Sequence, residues 1–226
     1  MTRMLASVVD LAEARLVRDA GVDIIDLKNP RAGALGALPL EEVRFIVQKL
    51  GEHERVPVSA TIGDLPMEPS SVLSATQAMA ATGIDFVKIG FFPDGDWSGT
   101  IQNLSSLKHT GLSLIAVLFG DRRPDLTVLR QLAQAGFAGC MLDTMNKSEG
   151  SLLQACLPPY LAEFIALARK HGLLCGLAGS LRENDVPALL KLEPDYIGFR
   201  GALCESHNRT GTVTDTKVRA IRAMIA

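Results

Sequence analysis

The sequence of 226 residues predicts a single-domain α/β fold, a (β/α)8 TIM barrel spanning 1–226, and three observations carry that prediction. Short apolar, β-branched runs alternate with amphipathic stretches eight times from end to end, the pattern of βαβ units around a parallel sheet. The length suits one such barrel, for which roughly 200–250 residues is usual, and no low-complexity linker divides the chain. Four segments share a small-x-Asp-like approach to an apolar strand: GVDIIDLK (21–28), GIDFVKIG (83–90), GFAGCMLD (136–143) and EPDYIGFR (193–200).

The elements follow in order. A first strand is expected near 4–8 (MLASV), and Asp10 is placed to cap a helix over 11–20. A second strand, 22–28, ends on Lys28; the glycine-rich KNPRAGALGALP (28–39) then leads to Pro39, at the start of a helix over 40–50. The third strand, 56–61, precedes a helix over 70–82 that Ser70 or Ser71 would cap. The fourth strand, 85–90, leads to a helix over 97–109, and the apolar run SLIAVLF (113–119) is the fifth strand, followed by a helix over 124–135. The sixth strand, 138–143, precedes the longest amphipathic stretch, 152–171; the seventh, 173–179, precedes a helix over 183–192. The eighth strand, 195–201, and a helix over 214–225 opened by Thr214 complete the set. Each helical stretch spaces its apolar residues at i, i+3 and i+4.

Composition excludes several classes of function. Twenty-three basic and 25 acidic residues are interspersed, for a net charge of -2, and only 5% of residues are aromatic. There is neither a basic stripe nor a stacking platform, so no nucleic-acid partner is expected. Cys140, Cys156, Cys175 and Cys204 contain no C-x-x-C pair, and His53, His109, His171 and His207 form no H-E-x-x-H pattern. No metal and no cofactor are therefore expected. The N-terminal MTRMLASVVDLAEAR reaches Asp10 and Glu13 too early for a secretory signal, and no stretch approaches an uncharged membrane span. A cytoplasmic location, no membrane partner and reduced cysteines are expected. Symmetric self-association is common among enzymes of this kind, so a homo-oligomer is expected as well.

Laid on one another, the four repeated segments put Asp26, Lys88, Met141 and Gly198 at one level, and Lys28, Gly90, Asp143 and Arg200 two residues later. Side chains alternate along a strand, so both levels face one way while Ile25, Leu27, Val87, Ile89, Leu142 and Phe199 face the other, under the helices. The charged residues then gather inside the barrel at the C-terminal ends of its strands, where this architecture builds active sites. Of eight lysines, Lys49, Lys108, Lys170, Lys191 and Lys217 fall on helices or helix ends, but Lys28, Lys88 and Lys147 do not. A buried lysine beside a second cation loses pKa and becomes a nucleophile toward carbonyls. Asp26 and Asp143 are placed to move protons or to orient a lysine. The competing reading is a structural cluster in which the two aspartates neutralise Lys28 and Lys88. Lys147, in the loop DTMNK (143–147), reads either as a holder of an anionic substrate group or as a surface lysine.

The last two units carry a second constellation. LAGSL (177–181) and FRGALC (199–204) follow the seventh and eighth strands, where backbone N–H groups of such barrels cradle a phosphate. Gly179, Ser180, Gly201 and Ala202 would supply those donors, with Arg200 adding charge. KNPRAGALGALP lacks the G-K-[ST] ending of a P-loop and reads as a shaped, partly mobile lid beside Lys28 or as a plain glycine-rich connection. In ATIGDLP (60–66), Asp64 reads as a turn or cap residue.

In these motifs the chain resembles the (5-formylfuran-3-yl)methyl phosphate synthase family. The matching stretches are IIDLKNPRAGALGA, VSATIGD, DFVKIG, MLDTMNK, LAGSL and GFRGALC, in that order over nearly the whole chain. The resemblance implies a barrel enzyme of methanofuran biosynthesis that condenses two molecules of glyceraldehyde 3-phosphate, releasing one phosphate and two waters. It implies Lys28 as the Schiff-base lysine, Asp26 as its neighbouring carboxylate, Lys88 as an acid/base, and Asp143 with Lys147 as a further functional pair. The stretch CESHNRTGTVTD (204–215) departs from a more glycine- and aspartate-rich stretch associated with archaeal members, which leaves the roles of His207 and Arg209 open. The residues themselves also suit another Schiff-base aldolase or isomerase acting on a phosphosugar, or a non-catalytic phosphosugar-binding barrel.

Overall fold

A computed structural model describes residues 1–51 and 56–225; His53 lies outside them. Eight strands, β1 (Arg3–Val8), β2 (Ile24–Leu27), β3 (Val58–Thr61), β4 (Phe86–Gly90), β5 (Ser113–Phe119), β6 (Gly139–Asp143), β7 (Leu174–Leu177) and β8 (Tyr196–Phe199), pair in chain order, and β8 returns to β1. Every pairing is parallel, so the barrel is closed and leaves no strand edge exposed.

The repeated approach to the even-numbered strands has a hydrogen-bonding cause. The carboxylates of Asp23, Asp85 and Asp195 each accept the backbone N–H of the preceding strand, from Met4, Val58 and Cys175 respectively, at 2.7 Å. Each aspartate thus satisfies a donor that the bottom edge of the barrel would otherwise leave unpaired. At β6 the equivalent position is Ala138, which has no carboxylate and makes backbone links alone, to Leu114 and Leu174.

Strand alternation divides the apolar residues into two layers. Ile25, Leu27, Val87, Ile89, Leu142 and Phe199 pack in the larger cluster with helix residues such as Val43, Ile46, Leu104 and Phe164. Each such side chain, when fully buried, contributes roughly 1.5–3 kcal/mol. Leu5, Ile24, Ile115, Val117, Met141 and Tyr196 form the smaller cluster, which plugs the barrel interior below its charged upper layer.

The helices are α1 (Leu11–Asp19), α2 (Leu40–Leu50), α3 (Pro69–Ala80), α4 (Trp97–Leu104), α5 (Val128–Gln134), α6 (Leu152–Ala155), α7 (Pro158–Lys170), α8 (Val186–Leu190) and α9 (Asp215–Ile225). Asp10 caps α1 by accepting from Glu13 N–H at 2.8 Å, and Pro39 stands immediately before α2, as expected. Other expectations need correction. Glu68, not Ser70 or Ser71, caps α3: its carboxylate accepts both serine N–H groups, with Pro69 at the first position. The stretch 152–171 is two helices, because proline at 158 and 159 drives Leu157 to an extended ψ of 144°. The stretch 97–109 ends its α-helix at Leu104 and finishes as a 3-10 turn, and 183–192 begins as one. The seventh and eighth strands stop at Leu177 and Phe199, so Gly179 and Arg200 belong to the loops above the barrel.

Candidate active site

The C-terminal ends of the strands open on a cavity of about 150 Å³. Lys28, Lys88, Asp143 and Lys147 line it together with Gly179, Ser180, Gly201 and Ala202, so the residue just after β2, residues of β4 and β6 and the last two loops meet in one place. Asp26 lies behind Lys88, wholly buried. Its carboxylate takes the Lys88 ammonium at 3.0 Å and the hydroxyls of Ser7 at 2.8 Å and Ser59 at 2.7 Å. Those serines hold the carboxylate from the neighbouring strands, since Asp26 is in register with Ser7 on β1 and Ser59 on β3. Neither serine was singled out from the sequence, although each is a polar residue at an inward position of its strand and could have been found by alternation.

Asp26 thus neutralises Lys88, as a structural cluster would, but among the described residues no carboxylate pairs with Lys28. Asp143 pairs instead with Lys147, at 2.5 Å, and accepts Thr144 N–H at 2.7 Å. Among the described residues Lys28 makes no ion pair and no side-chain hydrogen bond, although it is only 7% exposed. Burial lowers its pKa to about 8; the cations of Lys147 and Lys88 act in the same direction, while Asp143 and Asp26 oppose them. For Asp143 burial works against ionisation, yet Lys147 and Lys28 overcome it and bring the carboxyl down to about 2. Asp26 is likewise lowered despite its burial, by Lys88, Lys28 and the Ser59 hydroxyl. Two ionised pairs therefore flank one amine that is accessible in its neutral form.

Above them, Gly179 (φ 109°) and Ser180 (φ 47°) are consecutive left-handed residues. A Cβ at Gly179 would stand 2.7 Å from Thr144 N, so the loop after β7 rests directly on the loop after β6. Ser180 donates its hydroxyl to the Lys147 carbonyl at 3.2 Å. The backbone N–H groups of Gly179, Ser180, Gly201 and Ala202 find no acceptor among the described residues. Left-handed turns with free N–H groups are anion-binding concavities.

Arg200 has a different task from the one expected. Its guanidinium pairs with the buried Glu13 carboxylate and also donates to the carbonyls of Ser7, Arg209 and Gly211, which uses all five of its N–H groups. It fixes the loop after β8 and has no donor left for a phosphate. The loop 28–39 is shaped rather than free. The Asp64 carboxylate accepts Ala34 and Leu35 N–H at 2.7 Å, Thr61 donates to the Gly36 carbonyl at 3.1 Å, and Leu35 is fully buried. Asp64 is thus a clamp on a loop 29 and 30 residues away and not the local turn or cap residue its position suggests.

Among the described residues no group of three or more His, Cys, Asp or Glu side chains is arranged to hold a metal ion. No described helix is long and apolar enough to cross a membrane. The four cysteines are buried free thiols.

A family model described as 4-HFC-P synthase matches residues 4–222. A chain of Methylorubrum extorquens provisionally named (5-formylfuran-3-yl)methyl phosphate synthase is 41% identical over 225 residues, covering 99% of this chain and 92% of that one. The (5-formylfuran-3-yl)methyl phosphate synthase of Methanopyrus kandleri is 31% identical over 236 residues, covering 99% of each. Among solved structures, 3-hexulose-6-phosphate synthase from Salmonella typhimurium superposes with a TM-score of 0.70 at 17% identity, over 99% of this chain and 98% of that one. Phosphoribosyl anthranilate isomerase from Thermus thermophilus does so with 0.69 at 16%, with the same coverage. These likenesses establish the barrel fold.

Proposed function

Because the chain belongs to the 4-HFC-P synthase family, we propose that it condenses two molecules of glyceraldehyde 3-phosphate, through a Schiff base on Lys28, into (5-formylfuran-3-yl)methyl phosphate. One phosphate and two waters leave, which balances the atoms of two triose phosphates against one furan phosphate. The observation that carries this reading is the buried, unpaired amine of Lys28 in a cavity whose other lysines are already held by carboxylates.

In this reading the neutral amine attacks a triose carbonyl, water is lost, and the resulting iminium acidifies the adjacent C–H. Asp143, the carboxylate whose field Lys28 feels more strongly, is the base for that proton. The enamine carbon then attacks the aldehyde of the second triose. Lys88, paired with Asp26, and Lys147, paired with Asp143, donate protons to the oxygens that leave. Attack of a hydroxyl from the second triose on the iminium carbon closes the ring, expulsion of the Lys28 amine breaks the C–N bond, and aromatisation of the furan drives the last eliminations forward. The free N–H groups at Gly179, Ser180, Gly201 and Ala202 hold a substrate phosphate.

The test is incubation with glyceraldehyde 3-phosphate and borohydride, followed by peptide mass spectrometry, with phosphate release and furan absorbance followed in an unreduced sample. A triose adduct on Lys28 with phosphate release and a new furan band is expected. An adduct on Lys88 instead would overturn the role of Lys28. No adduct and no phosphate release from folded protein would leave a phosphosugar-binding barrel.

A further inference from the structure

Two triose phosphates bring two phosphate groups into one cavity, each carrying about −1.5 to −2 charges near neutral pH. The N–H nest accommodates one. Of the cations lining the cavity, Lys88 and Lys147 are held by Asp26 and Asp143, Arg200 has every donor engaged, and Arg182 stands exposed at the rim. Arg209 differs from all of these. It is half-buried, lines the same cavity, and donates through Nη2 to the Gly33 carbonyl at 3.0 Å, its one side-chain hydrogen bond among the described residues. Its other guanidinium donors have no protein acceptor there.

The backbone around Arg209 is held on both sides. Arg200 Nε donates to the Arg209 carbonyl at 2.9 Å and Nη2 to the Gly211 carbonyl at 2.7 Å, while Glu13 accepts Val213 N–H at 3.1 Å. Just before it, Ser206 and His207 take left-handed conformations, φ 51° and 55°. Such conformations in residues other than glycine persist only where the surroundings over-determine them. The Asn208 side chain accepts Thr210 N–H and hydroxyl at 3.1 and 2.9 Å, which tightens the turn. A buried ion pair and a strained turn thus present one under-used guanidinium across the cavity mouth, between the loop after β8 and the loop after β2. A guanidinium with free donors in a partly desolvated site is matched to a phosphate monoester.

We propose that Arg209 is a substrate-binding residue that takes the phosphate of the second triose, the one attacked by the Lys28-bound enamine. The proposal rests on the two-triose reaction set out above. Glu13 and Arg200 are positioning residues for it.

Arg209→Gln separates the two binding events. With glyceraldehyde 3-phosphate as the probe, borohydride trapping reports capture of the first triose on Lys28, and furan absorbance reports condensation with the second. The half-saturating concentration for trapping is expected to stay within about twofold of wild type. That for furan formation rises roughly ten- to a hundredfold, the range for losing a hydrogen bond to a charged group. Arg209→Lys, which keeps the charge and loses the planar fork, is expected to fall between them, and it carries the same comparison should Arg209→Gln fold poorly. Parallel weakening of trapping and furan formation, or unchanged furan formation, overturns the assignment. Wild-type protein that gives neither adduct nor furan overturns the synthase reading itself, a result distinguishable from either.

Discussion

Replacing Lys147 by methionine tests the electrostatic account of Lys28 most directly. In the folded protein the Lys28 amine titrates near 8 instead of 10.5, which leaves about one molecule in ten with a neutral amine at pH 7. An ordinary lysine would have roughly 0.03% in that form, so burial and the neighbouring cations increase the nucleophile by about 300-fold. Lys147 is the stronger of the two cations acting on Lys28, and its own partner, Asp143, opposes the shift. Removing the ammonium therefore acts twice in one direction. It deletes a repulsion and leaves a carboxylate without its counter-ion beside Lys28, so the Lys28 pKa rises. Each unit of rise removes about tenfold of the neutral amine at pH 7. The assay is the rate of borohydride-trapped adduct formation on Lys28 against pH. Glyceraldehyde serves as the uncharged carbonyl, so that no phosphate ionisation enters the profile. The rising limb of the Lys147→Met profile is expected to move to higher pH by at least about one unit, with the high-pH plateau retained. A profile that stays in place, or moves to lower pH, would refute the reasoning.

Other expectations follow from the same geometry. Lys28→Arg keeps the positive charge but cannot form a Schiff base, so adduct and furan formation are lost while the circular dichroism spectrum is kept; residual turnover above about a thousandth of wild type would argue against covalent catalysis. The Asp143 carboxyl is depressed from 3.8 to about 2 in the folded state, so its contribution is present above pH ~4 and lost as pH falls through ~2. It is worth about 2 kcal/mol. Urea midpoints measured across that window should therefore fall more steeply for wild type than for Asp143→Asn. Gly179→Ala puts a side chain on a residue at φ 109° and against Thr144 N at 2.7 Å; the melting midpoint and the affinity for glyceraldehyde 3-phosphate should both drop, and an unchanged affinity would remove this loop from the phosphate site.

Much of the fold was legible because the physical signals are local. Strand alternation placed Ile25 and Leu27 under the helices and Asp26 inside the barrel, as the two apolar clusters bear out. The inward face shared by Lys88 at one level and by Lys28 and Asp143 two residues later followed from the same two-residue period, and the cavity gathers all three. Helix ends were less legible. Leu157 precedes two prolines, whose steric effect breaks one amphipathic pattern into two helices. Glu68 displaced the serines at the start of α3 because a carboxylate reaching two N–H groups outcompetes a hydroxyl that reaches one.

The sequence by itself determined that this chain closes a barrel and that its charges collect at the ends of its strands, because pleat and period act within a few residues. Only the tertiary structure decided which charge meets which. Asp26 takes Lys88 rather than Lys28, Asp143 takes Lys147, and Glu13 takes Arg200 from 187 positions away. Those partners are chosen by strand register and by which side chains can be desolvated together, since a buried charge is tolerated only where a counter-ion and hydrogen bonds reach it. The pairing left Lys28 without a counter-ion, which is what makes it the nucleophile in the reaction proposed for this site.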